Sequence, residues 1–289
     1  MLSGTRGRQF MMVCNVGGSQ KAQRYDTFSF LLLDLDRNSY WLSQQPILRE
    51  QFLPPPRRMA FKAMNDALRR RALLSFLELS SRIDGALVTF AVDKIARPRF
   101  EASAEIVAEL TDTWKPATHE RLSWILHLSA FLLSGFASTD QDILWVVDED
   151  DVAANVSQLT KFTELFGRAV SNQAETTYGH IRCGTTKSDD GSFALEDLAA
   201  IPDLAAGAMS ELATGMKRYG LGPVARLEQR LPRTTTWKTR TIMSWLSAER
   251  GQLHRLTCVI EGKPDGGWRS SLIRINAAFQ PAFILDPRH

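Results

Sequence analysis

The chain has 289 residues and a mass of 32.4 kDa, and its 44% hydrophobic and 23% charged residues are the balance of a soluble globular protein able to bury a sizeable core. Its 35 basic and 32 acidic side chains leave a formal net charge of +3, which excludes disorder along the whole chain and gives no global drive toward nucleic acid. Cys14, Cys183 and Cys258 are odd in number and far apart, which excludes a disulfide scaffold and a cysteine-rich zinc module.

The basic start at Arg6 and Arg8 is followed by no apolar segment long enough for a secretory leader. The apolar stretch over residues 122–137 contains His127 and falls short of the roughly 20 residues that cross a bilayer. A cytoplasmic chain without a membrane span is expected.

Residues 10–14 and 25–35 are apolar runs separated by Asn15-Val16-Gly17-Gly18-Ser19, the pattern of two paired strands, and residues 39–43 are expected to add a third. Pro54-Pro55-Pro56 interrupts regular structure. Beyond it Ala60, Ala63, Met64, Ala67, Leu68, Leu74 and Leu77 recur at steps of three and four, predicting an amphipathic helix over residues 57–82. Asp84-Gly85 ends it. Residues 86–92 form a near-continuous apolar run ending at Asp93-Lys94, as in a strand buried on both faces.

A long helix is expected over residues 119–136, then a second buried strand at 143–147 that ends in Asp148-Glu149-Asp150-Asp151. Helical spacing returns over residues 152–170, a strand fits 178–185, and a small-residue helix fits 195–213, its regular part starting near Pro202. Strands alternating with helices after an antiparallel start predict an α/β mixed sheet covered by helices. Past Gly220 the pattern thins to a helix at 239–250 and strands at 256–260 and 272–275. The division expected is one domain over residues 1–220 and a C-terminal extension over 221–289.

Basic residues concentrate in two segments. The first holds Arg57, Arg58, Lys62, Arg69, Arg70 and Arg71; the second holds Lys217, Arg218, Arg226, Arg230, Arg233, Lys238 and Arg240. Both suit phosphate contacts, although such runs more commonly form solvated faces that keep the protein soluble.

Carboxylates at the ends of buried strands carry the sharper chemical signal, because the carboxyl edge of an open α/β sheet is where ligands bind. Asp93 and Asp148 occupy such ends. On neighbouring strands their mutual repulsion would favour a divalent cation with oxygen ligands, and as isolated acids they would cap the next helix or turn. Asp203 adds a third carboxylate in Ile201-Pro202-Asp203-Leu204-Ala205-Ala206-Gly207-Ala208; there a place in the first helical turn, favoured by the helix dipole, competes with a place in a site.

Taken in order, the glycine-containing end of the first strand, Val92-Asp93-Lys94, Val146-Val147-Asp148-Glu149 and the helix around Asp203 resemble a bacterial and phage-associated family with an RNase H-like fold. Members of that family show an Asp-Glu-Ser-Gly end to the first strand, a later strand ending in Asp-Glu, and an Ala-Asp-Leu helix motif. The resemblance spans residues 10–215. It implies an RNase H-like mixed sheet flanked by helices, with Asp148 and Asp203 matching residue for residue and Asp93 matching a looser strand ending. The first-strand aspartate falls at Asn15 and the acidic position after it at Val16. An amide oxygen can ligate a metal but carries no charge, so the site reads as degenerate.

What the resemblance implies is a metal-dependent nuclease, with Asn15, Asp93, Asp148 and Asp203 as its site, Asp93, Asp148 and Asp203 holding Mg²⁺ or Mn²⁺, and phosphodiester cleavage as the reaction. Nucleic acid would be gripped through Arg57, Arg58, Arg69, Arg70, Arg71, Arg226, Arg230 and Arg233, in a mobile-element or phage-defence setting. A catalytically silent module of the same fold, binding nucleic acid or a protein, is the alternative. A hydrolase using Cys14 or Cys183 is a third reading, and no nucleophile signature surrounds either thiol.

Overall fold

Side chains along a strand point alternately to its two faces, and here both faces are apolar. The structure, a computed structural model, describes residues 7–17, 23–94, 110, 112–148, 152–218, 235–262 and 268–273. Its elements in chain order are β1 (Gln9–Gly17), β2 (Tyr25–Asp34), α1 (Ser39–Phe52), α2 (Ala67–Ser80), β3 (Gly85–Asp93), α3 (Pro116–Phe136), β4 (Asp142–Val147), α4 (Val156–Gln173), β5 (Ile181–Thr185), α5 (Ala194–Arg218), α6 (Trp237–Ser247), β6 (Leu253–Gly262) and β7 (Trp268–Ile273).

The seven strands form one mixed sheet in the order β5-β4-β1-β2-β3-β6-β7. Central β2 is buried along its whole length and runs antiparallel to β1 and β3; β4 lies parallel to β1, β5 to β4, and β6 to β3. Consequently β1, β3, β4, β5 and β6 all present their carboxyl ends at one edge.

Helices cover both faces. Met11 and Val13 of β1 pack into one core with Trp41 of α1, Leu73 of α2, Leu204 of α5 and Ile242 of α6. Phe10, Met12 and Cys14, pointing the other way, pack with Ile125 of α3 and Phe162 of α4, where Trp145 stacks on Phe162 at 4.2 Å between ring centroids. The fold is thus the expected α/β class, a mixed sheet flanked by helices, and its C-terminal segment adds α6 to one face and β6 and β7 to the β3 edge.

Three expected elements differ. Residues 39–43 open α1 instead of forming a strand, because the helix buries Trp41, Gln45, Leu48 and Arg49 at steps of three and four. Two of those four are polar, so hydrophobic periodicity does not reveal the stripe. The helix expected from residue 57 begins only at Ala67, where the Asp66 side chain caps it by accepting the Arg69 N–H at 3.0 Å. The helix carrying Asp203 starts at Ala194 rather than near Pro202, its first turn held by Asp189, which accepts the N–H groups of Phe193 at 2.8 Å and Leu195 at 2.7 Å.

Candidate functional site

Where β1 and β4 end side by side, the sheet, α5 and the 58–62 segment enclose a cavity of about 560 Å³. Asn15 lies on the same side of β1 as Met11 and Val13, the face that α5 covers. Asp148 directly follows β4, is exposed, and accepts a hydrogen bond from the Thr186 hydroxyl at 3.1 Å. Both line the cavity.

The third wall is a helical stripe. Glu196, Ala199, Ala200, Asp203, Gly207 and Ser210 recur at helical spacing and all line the cavity. Small residues let α5 come close: a methyl on Gly207 would sit 2.3 Å from the Phe61 ring, and one on Gly17 would sit 2.6 Å from Thr27 Oγ1. The Thr27 hydroxyl in turn donates to the Ala206 carbonyl at 2.9 Å, fastening α5 to the sheet beside the site. Asp203 therefore stands in the middle of a packed helix, not in its first turn, and lines the cavity.

The chain before α2, expected as helix, forms the fourth wall. Arg58 pairs with Glu196 at 2.5 Å, and the Phe61 N–H donates to Asp203 Oδ2 at 2.7 Å. Arg49, buried in α1, anchors this segment by donating to the Arg57 carbonyl while it binds Asp197 Oδ1 at 2.6 Å; Gln45 also donates to Asp197 at 2.6 Å. Adjacent residues of α5 thus divide the work, Glu196 facing the cavity and Asp197 holding the scaffold.

Burial pushes the Asp203 carboxyl up; the Phe61 N–H opposes the shift, the Asp148 charge adds to it, and Lys62 and Lys238 oppose it. Glu196 is also pushed up by burial, against the Arg58 guanidinium and with the charges of Asp148, Asp189 and Asp197. The cavity holds Asp148, Glu196 and Asp203 against Arg58, Lys62 and Lys238. Three acidic and three basic side chains thus share one partly desolvated cavity, the kind of surroundings in which carboxyl pKa values shift.

Asn15, Asp148 and Asp203 are therefore brought together, whereas Asp93 does not line the cavity. It ends β3, with β2 between it and β1, and it is buried against Arg24, whose Nε lies 2.6 Å from Asp93 Oδ1 and whose Nη2 donates to Oδ2 at 3.0 Å. Its charge is thus matched by an arginine, as a buried carboxylate requires, and it stands apart from Asn15, Asp148 and Asp203. Among the described residues no three His, Cys, Asp or Glu side chains gather closely enough to hold one.

Of the basic residues, Arg58, Lys62 and Lys238 reach the cavity. Arg57 and Arg69 lie near Asp66 at 3.7 Å each, Arg70 lies over the Trp237 ring, and Arg71 is exposed. Arg226, Arg230 and Arg233 lie outside the described residues, as do Glu149, Asp150 and Asp151. Cys14 faces the other core, and burial pushes the Cys183 thiol up to about 12, which suppresses the thiolate a nucleophile needs. Glu196 is a lining residue that the sequence motifs do not bring forward as a site group, and Lys238, expected only as part of the second basic segment, is the residue of that segment that reaches the cavity among those described. Glu196 was open to inference, since seven residues separate it from Asp203 and two helical turns put both on one face.

No protein-family model matches the chain, and no curated protein matches it. A solved structure to which it is similar is the ribonuclease H2 from Pyrococcus horikoshii OT3, at 12% sequence identity and a TM-score of 0.36, covering 82% of this chain and 86% of that one. The strand order, not a likeness of that size, defines the fold. Among the described residues no helix is long and apolar enough to cross a membrane.

Proposed function

We propose that the cavity is a nuclease-like site which binds the phosphodiester backbone of a nucleic acid and holds one Mg²⁺ or Mn²⁺ between Asp148 and Asp203, with hydrolysis weak because Asn15 stands where a carboxylate would complete the set. The observation that carries this reading is that Asn15 of β1, Asp148 just after β4 and Asp203 of α5 line one cavity at the carboxyl edge of the sheet. Two carboxylates and an amide oxygen suit a single hard cation that prefers oxygen ligands; they fall short of a two-ion centre. A bound ion would polarise the phosphate and lower the pKa of a coordinated water.

The residues of the chain supply the rest. Arg58 and Lys62 line the cavity where a backbone phosphate would approach, and Arg57, Arg69, Arg70 and Arg71 extend the basic surface along the same segment. The Phe61 N–H fixes one oxygen of Asp203, leaving the other for a ligand. A catalytically silent module is the second reading, favoured by Asn15 and by the pairing of Glu196 with Arg58, which withdraws one carboxylate from metal binding.

Calorimetric titration with Mn²⁺ tests the cation. Heat of binding is expected for the wild type and not for Asp148→Ala, Asp203→Ala; equal heats would remove both residues from the site. Asn15→Asp is expected to tighten Mn²⁺ about tenfold, the equivalent of about 1.4 kcal/mol, and to raise phosphodiesterase activity above wild type. A wild type that cleaves well and is indifferent to Asn15→Asp would place Asn15 outside the chemistry. Nucleic-acid binding without cleavage by either protein would select the silent module.

A further inference from the structure

Lys238 reaches the cavity from α6, far in sequence from every acidic motif. The start of α6 is fixed from two sides: the Thr236 side chain caps the helix by accepting the Thr239 N–H, and the Thr236 N–H donates to Glu211 Oε1 of α5 at 3.1 Å. The helix that delivers Lys238 is thereby pinned to the helix that carries Asp203. Beside it, the Arg70 guanidinium lies 5.3 Å from the centre of the Trp237 ring, tying the same point to α2.

Phe61 contacts the ammonium twice. Lys238 Nζ donates to the Phe61 carbonyl at 3.0 Å and lies 3.9 Å from the centre of the Phe61 ring. The N–H of the same Phe61 donates to Asp203. One residue of the 58–62 wall therefore sets the positions of a cation and an anion in the cavity.

Lysine carries three N–H donors, and the Phe61 carbonyl uses one. Arg58 is ion-paired with Glu196 and Lys62 is exposed, so Lys238 is the half-buried cation whose position is already restrained. A restrained ammonium loses little rotamer entropy on meeting an anion, and a partly desolvated one attracts it more strongly than a surface lysine does. Its charge also acts on the Asp203 carboxyl, opposing the effect of burial there.

Resting on the phosphate reading of this cavity, we infer that Lys238 is a phosphate-holding cation of the site, supplied by the C-terminal segment and working without a metal ion. The segment that completes the sheet edge thus also completes the ligand site.

The test is binding of a single-stranded DNA oligonucleotide to the full chain in EDTA, followed by fluorescence anisotropy. Lys238→Met keeps the stem over Phe61 and removes the charge. It is expected to weaken binding about tenfold and to flatten the salt dependence by roughly 0.7, one phosphate contact on a single strand. Lys238→Arg is expected to stay within about threefold of wild type, and thermal melting of each variant separates lost charge from lost fold. Affinity and salt slope unchanged in a folded Lys238→Met would overturn the inference. A wild type that binds only when Mn²⁺ is added would also overturn it while leaving the proposed function standing. Binding in EDTA that depends on Lys238, together with no Mn²⁺ heat, would support the inference and remove the cation from the proposed function.

Discussion

Asp93 ends β3 and Asp148 directly follows β4, strands that run the same way in one sheet, so both lie at the same edge, yet their surroundings differ in kind. Asp93 is closed in. It is 3% exposed, and Arg24 reaches it from the residue before β2; nearby the Tyr25 hydroxyl, pushed up by burial and by Glu261, donates to Glu261 at 2.8 Å, and Arg269 faces the same glutamate at 3.3 Å. Asp148 is open. It faces a cavity shared with Asp203 and Asn15, and Thr186 supplies a neutral hydroxyl. The difference teaches that a strand-end carboxylate becomes structural when its own sheet supplies the counter-charge, and becomes available to a ligand when the charges around it are shared among loops and helices.

Removing each carboxylate in turn should separate the two environments. Asp93→Ala leaves the Arg24 guanidinium without its partner and should destabilise the protein by about 2–4 kcal/mol, discounted because Arg24 is partly exposed. Asp148→Ala, at an exposed position, should cost less than about 0.5 kcal/mol. Urea unfolding of the two variants measures both numbers. Similar losses would mean that the two strand ends are not distinct environments.

A smaller effect sharpens the open side. The folded-state pKa of Asp203 is raised, so the native protein favours the protonated form, and the penalty for ionisation is present above that pKa and absent below the unfolded value of 3.8. Asp203→Asn mimics the neutral form and keeps an acceptor for the Phe61 N–H. It should be more stable than wild type at pH 7, and the gain should shrink as pH falls toward 3.8, read as midpoints of denaturant curves across that range. A variant less stable than wild type at pH 7 would show that Lys62 and Lys238 outweigh burial. Stability given up at a carboxylate in a cavity is the usual trade at a ligand site.

The smallest effect uses Asp142, at the opposite end of β4, which also accepts one backbone N–H, from His180 at 2.8 Å. There the carboxyl is held below its usual range by that N–H, because Asp142 is not desolvated as Asp203 is. Its stabilisation is present above 3.8 and lost as pH falls through the lower folded value. Asp142→Asn should therefore be slightly less stable than wild type at pH 7, with the two curves meeting in strong acid. The same hydrogen bond thus coincides with opposite shifts at Asp142 and Asp203, and curves that never converge would undo the contrast.

Asn15 comes into view as a candidate only through the family resemblance, whereas the α/β class, the buried strands that run out at Asp93 and just before Asp148, and the helices over 116–136 and 156–173 in close outline can be read from the sequence by itself. These are legible because they are local: period-two and period-3.6 patterns record which faces are apolar, and a strand's last residue marks its edge. Tertiary structure alone decided that Arg24 neutralises Asp93, that α1 buries Gln45 and Arg49 against Asp197, that residues 58–62 form a wall rather than a helix, and that Lys238 reaches the cavity from α6. Each of those is a pairing of charges or donors between segments far apart in the chain. Such pairings leave no periodic trace, since a polar side chain aimed at a buried partner has the same local pattern as one aimed at water.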